Sequence, residues 1–149
     1  MNSATQLNRV FIPACLLFFA AGCGGNKPYD VVPVSGIVTL DGQPVAEARV
    51  EFQPISAGGM EVGPDAVGVT DAQGRYTLTT TFDESGATVG ENRVRISTHK
   101  LKENPNNPDG KMIEVAPETI PPRYNTRSEL TFTVPAGGTD KADFSLQKR

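Results

Sequence analysis

The stretch VSGIVTLDGQPVAEARVEFQ, residues 34–53, decides the fold. Its pattern repeats every second position: Val34, Gly36, Val38 and Leu40 share one face of a first run, and Ala48, Val50 and Phe52 share one face of a second. Arg49, Glu51 and Gln53 take the opposite face of the second run. A period of two belongs to an extended strand with one dry and one wet side, whereas a helix would repeat near every ~3.6 residues. Between the runs, Asp41-Gly42 supplies the residue types that accept the positive φ of a hairpin turn.

The same reading extends outward. A loop rich in Gly and Pro from Ile55 to Asp65 leads to Val67 and Val69, then to Asp71-Ala72-Gln73-Gly74, read as a second hairpin in which Asp71 bonds the turn backbone and Gly74 supplies positive φ. Tyr76 and Leu78 share a face, with Arg75, Thr77 and Thr79 opposite. Val94 and Ile96 mark a fifth run, Leu130, Phe132 and Val134 a sixth, and Ala142, Phe144 and Leu146 a seventh. Short strands with opposed apolar faces bury a common core when two sheets stack. The expectation is an all-β domain, a seven-stranded antiparallel β-sandwich over residues 34–149. The 15 Gly and 12 Pro agree with strands joined by turns.

Acidic residues outnumber basic ones, 17 to 14, and there is no Trp. Nucleic-acid binding needs clustered Lys and Arg with stacking aromatics, so that class is set aside. Both cysteines, Cys15 and Cys23, fall in the leading segment, so the domain is expected to be held by packing alone.

That segment has the layout of a signal peptide, residues 1–22: a polar start, Arg9, and the apolar run VFIPACLLFFAA from Val10 to Ala21. The run is too short for the ~20 residues of a membrane-crossing helix, and Pro13 weakens it further. Ala20-Ala21-Gly22-Cys23 resembles the lipobox of bacterial lipoproteins, which implies that Cys23 is lipidated with diacylglycerol and an acyl chain such as palmitate, and becomes the mature N-terminus. Two or three acyl chains hold a protein at a membrane where one does not. Residues 23–33 then form the lipidated N-terminus and tether. Ala20-Ala21-Gly22 also fits ordinary secretion, which would leave the protein free rather than anchored in the cell envelope.

Val34-Ser35-Gly36-Ile37-Val38 with Asp41-Gly42-Gln43-Pro44-Val45 and Ala48-Arg49-Val50, then Gly68-Val69-Thr70-Asp71 with Gly74-Arg75-Tyr76, then Gly90 with Arg93-Val94-Arg95-Ile96, together resemble the carboxypeptidase regulatory-like domain. This is a transthyretin-like (prealbumin-like) sandwich, similar in broad form to Cna-B modules. Ile120-Pro121-Pro122-Arg123-Tyr124-Asn125 is similar to a segment of small bacterial envelope lipoproteins built from this domain alone. The resemblance implies a fold and a location, and an accessory or binding role rather than a reaction.

An inventory of side chains points the same way. His99 is the single histidine, which rules out a multi-histidine metal site, and its outward phase after Val94 and Ile96 reads as a solvated strand end. Asp71 with Asp65 or Asp83 falls short of the six to eight oxygens of a calcium site and reads as turn chemistry. No catalytic residue, metal or cofactor is expected. Arg49, Arg93 and Arg95 with Glu51 form either a contact face for acidic groups or a set of cross-strand charge pairs. The connection from Leu101 to Glu129 is long for a compact domain. Its Asn104–Gly110 tip reads as mobile, and Tyr124 either covers the sandwich edge or touches a ligand. The functional expectation is a non-catalytic membrane-anchored envelope lipoprotein, a protein- or glycan-interaction module. The alternatives are a structural spacer or coat protein and a transthyretin-like small-molecule binder.

Overall fold

The computed structural model of the protein describes residues 27–56, 62–104 and 110–149. Among these, the strands in chain order are β1 (Val31–Val32), β2 (Ser35–Leu40), β3 (Gln43–Pro44), β4 (Arg49–Pro54), β5 (Ala66–Val69), β6 (Arg75–Thr77), β7 (Thr79–Thr80), β8 (Ala87–Thr88), β9 (Gly90–Ser97), β10 (Lys100–Glu103), β11 (Met112–Ala116), β12 (Thr131–Val134) and β13 (Phe144–Leu146). A single 3-10 turn, Pro122–Tyr124, is the only helical element among the described residues. The class is all-β, as the alternation predicts, with more and shorter strands than seven.

A five-stranded antiparallel sheet runs β12-β9-β4-β5-β7. A second sheet centres on β2, with β13 on one side and β3 and β6 on the other. Neither sheet closes on itself, and two ribbons, β1-β8 and β10-β11, stand apart from them. Asp41 and Gly42, both at positive φ (50° and 79°), make the predicted hairpin, pairing Leu40 with Gln43.

The inward faces of both sheets meet in one core. Val38, Val50, Phe52, Val94 and Ile96 are all fully buried. Phe52 of β4, Phe132 of β12 and Phe144 of β13 meet edge to face with centroids 5.8 to 6.1 Å apart, tying the two sheets together. At the other side of β2, Tyr76 lies opposite Gly36 and sends its hydroxyl to the Ala142 carbonyl at 2.6 Å. A Cβ at Gly36 would lie 2.0 Å from that same oxygen, so only glycine lets the chain before β13 come this close.

Three features depart from the sequence reading. First, β13 runs parallel to β2, with Phe144 beside Val38 and Leu146 beside Leu40. After β12 the chain turns at Pro135–Gly138 and crosses to the second sheet where Thr139 meets Val34, so it arrives travelling in the direction of β2. Second, the Asp71–Gly74 turn forms, with Gly74 at φ 74° and the Asp71 amide donating to the Arg75 carbonyl, and β7 returns antiparallel to β5 across it as expected, but the returning strand is divided between the two sheets. β6 pairs with β2 in one sheet while β7 pairs with β5 in the other, and the buried Leu78 between them marks the crossing. Third, Val67 and Val69 face outward, Val69 being 56% exposed, while Ala66 and Gly68 face the core.

Candidate interaction surfaces

The N-terminal chain is fastened to one end of the domain. Lys27 pairs with Glu84 and lies 6.0 Å from the centre of the Tyr29 ring; the Val89 amide donates to the Asp30 carbonyl at 2.9 Å; and β1 pairs with β8. Lys27 to Asp30 are therefore packed against the domain instead of acting as free tether. Cys23, the signal segment 1–22 and residues 24–26 lie outside the described residues. Four residue steps separate Cys23 from Lys27, a span of at most about 14 Å. Residues 57–61 of the Gly- and Pro-rich loop also lie outside the described residues.

The expected arginine face is the outer side of the five-stranded sheet. The register sets Glu51 opposite Arg95, Gln53 opposite Arg93 and Arg49 opposite Ser97. The three arginines thus alternate with polar and acidic neighbours rather than forming one cationic patch. Arg49 and Arg93 are exposed, and Arg95 is half-buried with its Nε enclosed and unpartnered. Arg95 lines a cleft that it shares with Glu51, Ser97, His99, Glu114, Glu118, Asn125 and Thr126.

Within this cleft the groups are committed to one another. The Glu118 carboxylate accepts from Ser97 Oγ at 2.5 Å, from the Thr98 amide and hydroxyl at 3.0 Å each, and from the Ile120 amide at 2.9 Å. Burial alone would raise this carboxyl's pKa; the hydrogen bonds from Ser97, Thr98 and Ile120 outweigh it and hold it below the usual range. Glu118 thereby staples the returning chain to the end of β9. The His99 imidazole faces Glu114 at 3.5 Å while Ser97 Oγ is donated to Glu118, so imidazole and hydroxyl are not paired as base and nucleophile. Just beyond the end of β5, Asp71 Oδ1 accepts from the Gln73 and Arg75 amides at 2.9 and 2.8 Å, the local turn bonding expected of it.

Tyr124 belongs elsewhere. Its half-buried ring packs on the core cluster, Arg123 lies over it at 4.8 Å, and its hydroxyl accepts from the Gln147 amide at 3.4 Å. Hydrogen bonding to Arg123 lowers its pKa. Of the two readings of Tyr124, its contacts are those of an edge cover joined to the C-terminal strand, and it is not brought together with the arginines.

What the sequence reading missed is the ribbon. Instead of an unstructured connection after Ile96, β10 and β11 form an antiparallel pair, with Leu101 opposite Glu114, Lys102 opposite Ile113 and Glu103 opposite Met112. Pro105–Asp109 of the tip lie outside the described residues. Leu101, Met112, Ile113 and Val115 are 52, 50, 41 and 53% exposed. The ribbon's base and the strand after the Asp41-Gly42 turn flank an apolar groove of about 670 Å³ that includes Leu40, Pro44, Val45, Val115 and Pro117, with the Lys100–Glu47 ion pair at its rim. The signal was present in Ile113-Glu114-Val115, whose alternation is that of a strand.

No helix among the described residues is long and apolar enough to cross a membrane. No family model matches the sequence, and no curated protein matches it. Among solved structures, 78% of the chain is similar to 16% of a 9R-lipoxygenase from Cyanothece PCC8801, at 12% identity and a TM-score of 0.38. A likeness that distant carries neither fold nor activity across.

Proposed function

We infer that this chain is a non-catalytic envelope lipoprotein, anchored through lipid on Cys23, whose β domain serves as a protein- or glycan-interaction module. The fold proposed for that domain is the prealbumin-like, Cna-B-like sandwich, with the seven strands of the sequence reading, β2, β4, β5, β6, β9, β12 and β13, as its core and the remaining short strands as additions.

One observation supports this reading above the others: the described N-terminal residues and the exposed ribbon lie at opposite ends of β9. Asp30 meets Val89 beside the start of β9, and the exposed ribbon leaves from beyond its far end. Eight residues of strand separate the two by about 26 Å. A chain tethered within ~14 Å of a membrane at one end and carrying exposed apolar side chains at the other has the layout of a presenting module.

Intact mass of the native mature protein tests the anchor. The expected value corresponds to a chain beginning at Cys23 with diacylglycerol and one further acyl group; an unmodified Cys23 would overturn the lipoprotein assignment and leave a secreted protein. Affinity capture from detergent-solubilised membranes and binding to glycan arrays test the module, which is refuted by the absence of any specific partner in both.

A further inference from the structure

Among the described residues, the β10-β11 ribbon pairs with no other strand and presents two open edges. The Asn104 amide donates to the Lys111 carbonyl at 3.3 Å. By the alternation of an antiparallel ladder, the backbone groups of Lys102 and Ile113 then face each other, and those of Met112 and Glu114 point out from the free edge of β11. From Met112 to Val115 every side chain is exposed. An isolated two-stranded ribbon with an uncovered apolar edge is marginal in water, and such an edge is a template for another strand.

We propose that the occupant of this edge is a second copy of the same chain, joined β11 to β11 about a two-fold axis at Ile113. Antiparallel pairing with a copy requires the outward groups of Met112 and Glu114 to meet. Within the regular part of β11, clear of the register shift opposite Val115, three centres satisfy that parity. An axis at Glu114 sets two carboxylates opposite each other. An axis at Met112 requires Gly110 opposite Glu114, and Gly110 has left the extended conformation at φ 66°. An axis at Ile113 sets Ile113 against Ile113 of the second copy, Met112 against Glu114 and Lys111 against Val115, with no like charges opposed. The free edge of β10 offers no such register: an axis at Lys102 opposes two lysines, one at Leu101 opposes Lys100 to Lys102, and one at Glu103 opposes two carboxylates. The result is a four-stranded sheet, β10-β11-β11-β10, with the paired isoleucines at its centre. This names the partner of the free end in the reading above, and it rests on that reading only in that anchoring both chains in one membrane raises their local concentration.

Cysteine crosslinking in native membranes tests it. A non-hydrogen-bonded antiparallel pair brings its Cα atoms within about 4.5 Å, inside disulfide range. Ile113→Cys is expected to give a disulfide-linked homodimer under mild oxidation, whereas Leu101→Cys, one strand further from the axis and about 14 Å from its counterpart, gives less than about a tenth of that yield. Equal crosslinking at both positions, none at Ile113→Cys, or crosslinking only to a different protein overturns the proposal. In detergent, Ile113→Glu is expected to raise the dimer dissociation constant about tenfold or more while Leu101→Glu leaves it nearly unchanged; equal loss in both would indicate unspecific adhesion and overturn it. Ile113 is exposed, so an unchanged thermal transition shows that the fold survives the substitution. The unsubstituted chain, run in parallel, reads the anchor separately: a dimer formed through a free Cys23 thiol would refute lipidation without touching the Ile113 result, which is then taken from Cys23→Ser chains.

Discussion

Tyr76→Phe removes one oxygen from the junction where three segments meet: β6 carrying Tyr76, β2 carrying Gly36, and the chain before β13 carrying Ala142. Tyr76 is 3% exposed and its hydroxyl donates to the Ala142 carbonyl at 2.6 Å. Losing that donor removes the bond and leaves a buried acceptor without it, a cost of about 1–3 kcal/mol. Taking about 2 kcal/mol, the transition temperature of a domain this size falls by about 8 °C. The pH dependence makes the test specific. Burial first, and the charge of Asp143 second, hold the Tyr76 phenol's pKa well above its ordinary value. The folded state therefore keeps a proton that the unfolded chain releases near pH ~10. Stability from this group is whole below that pH and falls above it, by up to about 1.4 kcal/mol per pH unit, until the folded phenol also ionises. The variant lacks that slope, because phenylalanine has nothing to ionise, while every other ionising group is common to the two proteins. Urea unfolding followed by circular dichroism should show a gap of about 2 kcal/mol at pH 7 that narrows to about 0.6 kcal/mol at pH 11. A gap under about 0.5 kcal/mol at neutral pH, or two curves falling in parallel above pH 10, would refute the account of this junction.

Gly36→Ala should be worse than Tyr76→Phe, since the new Cβ would sit 2.0 Å from the Ala142 oxygen and 2.4 Å from its carbon; a loss above about 3 kcal/mol, or failure to fold, is expected in thermal unfolding, and a mild effect would mean that this segment moves freely. Phe52→Ala takes the shared ring out of the aromatic trio and should lower the urea midpoint by about 3–5 kcal/mol equivalent with an unchanged slope; a cost near 1 kcal/mol would show that Phe132 and Phe144 collapse into the space. Glu118→Gln should flatten the acid limb. The depressed carboxyl contributes stability above the unfolded value of about 4.3 and loses it as pH falls below, an effect kept under about 1 kcal/mol because the group is largely solvated; identical acid unfolding of parent and variant would contradict the staple.

The strands that the sequence reveals are those whose alternation is rewarded by burial. Val38, Val50, Phe52, Val94, Ile96 and Leu146 could be placed because each stands on the inward phase of a run long enough to show a period. Where the core is met by a small residue the rule inverts: β5 turns Ala66 and Gly68 inward and Val67 and Val69 outward, because the space above Gly68 is filled by the Thr77 carbonyl, 2.4 Å from where a Cβ would lie. Pairing partners are a longer-range matter. Nothing local in Arg75-Tyr76-Thr77 says that it joins β2 while Thr79-Thr80 joins β5, and nothing local in Phe144-Ser145-Leu146 gives its direction relative to β2. Those choices follow from where the whole chain has already been.

The ribbon escaped for the opposite reason. Lys100-Leu101-Lys102-Glu103 and Met112-Ile113-Glu114-Val115-Ala116 have apolar residues that meet no core, so a reading tuned to burial sees a polar connection with stray hydrophobics. That mismatch is what makes it informative. Leu101, Met112, Ile113 and Val115 leave 41 to 53% of their surface in water, and each carries the solvation cost of exposed apolar surface together with the hazard of an open strand edge. Elsewhere the outward faces hold mostly Arg, Glu, Gln and Thr; here they do not. Apolar side chains left in water together on one projecting ribbon are explained if something outside the monomer covers them, and the register proposed at Ile113 names a second copy of the chain as that cover.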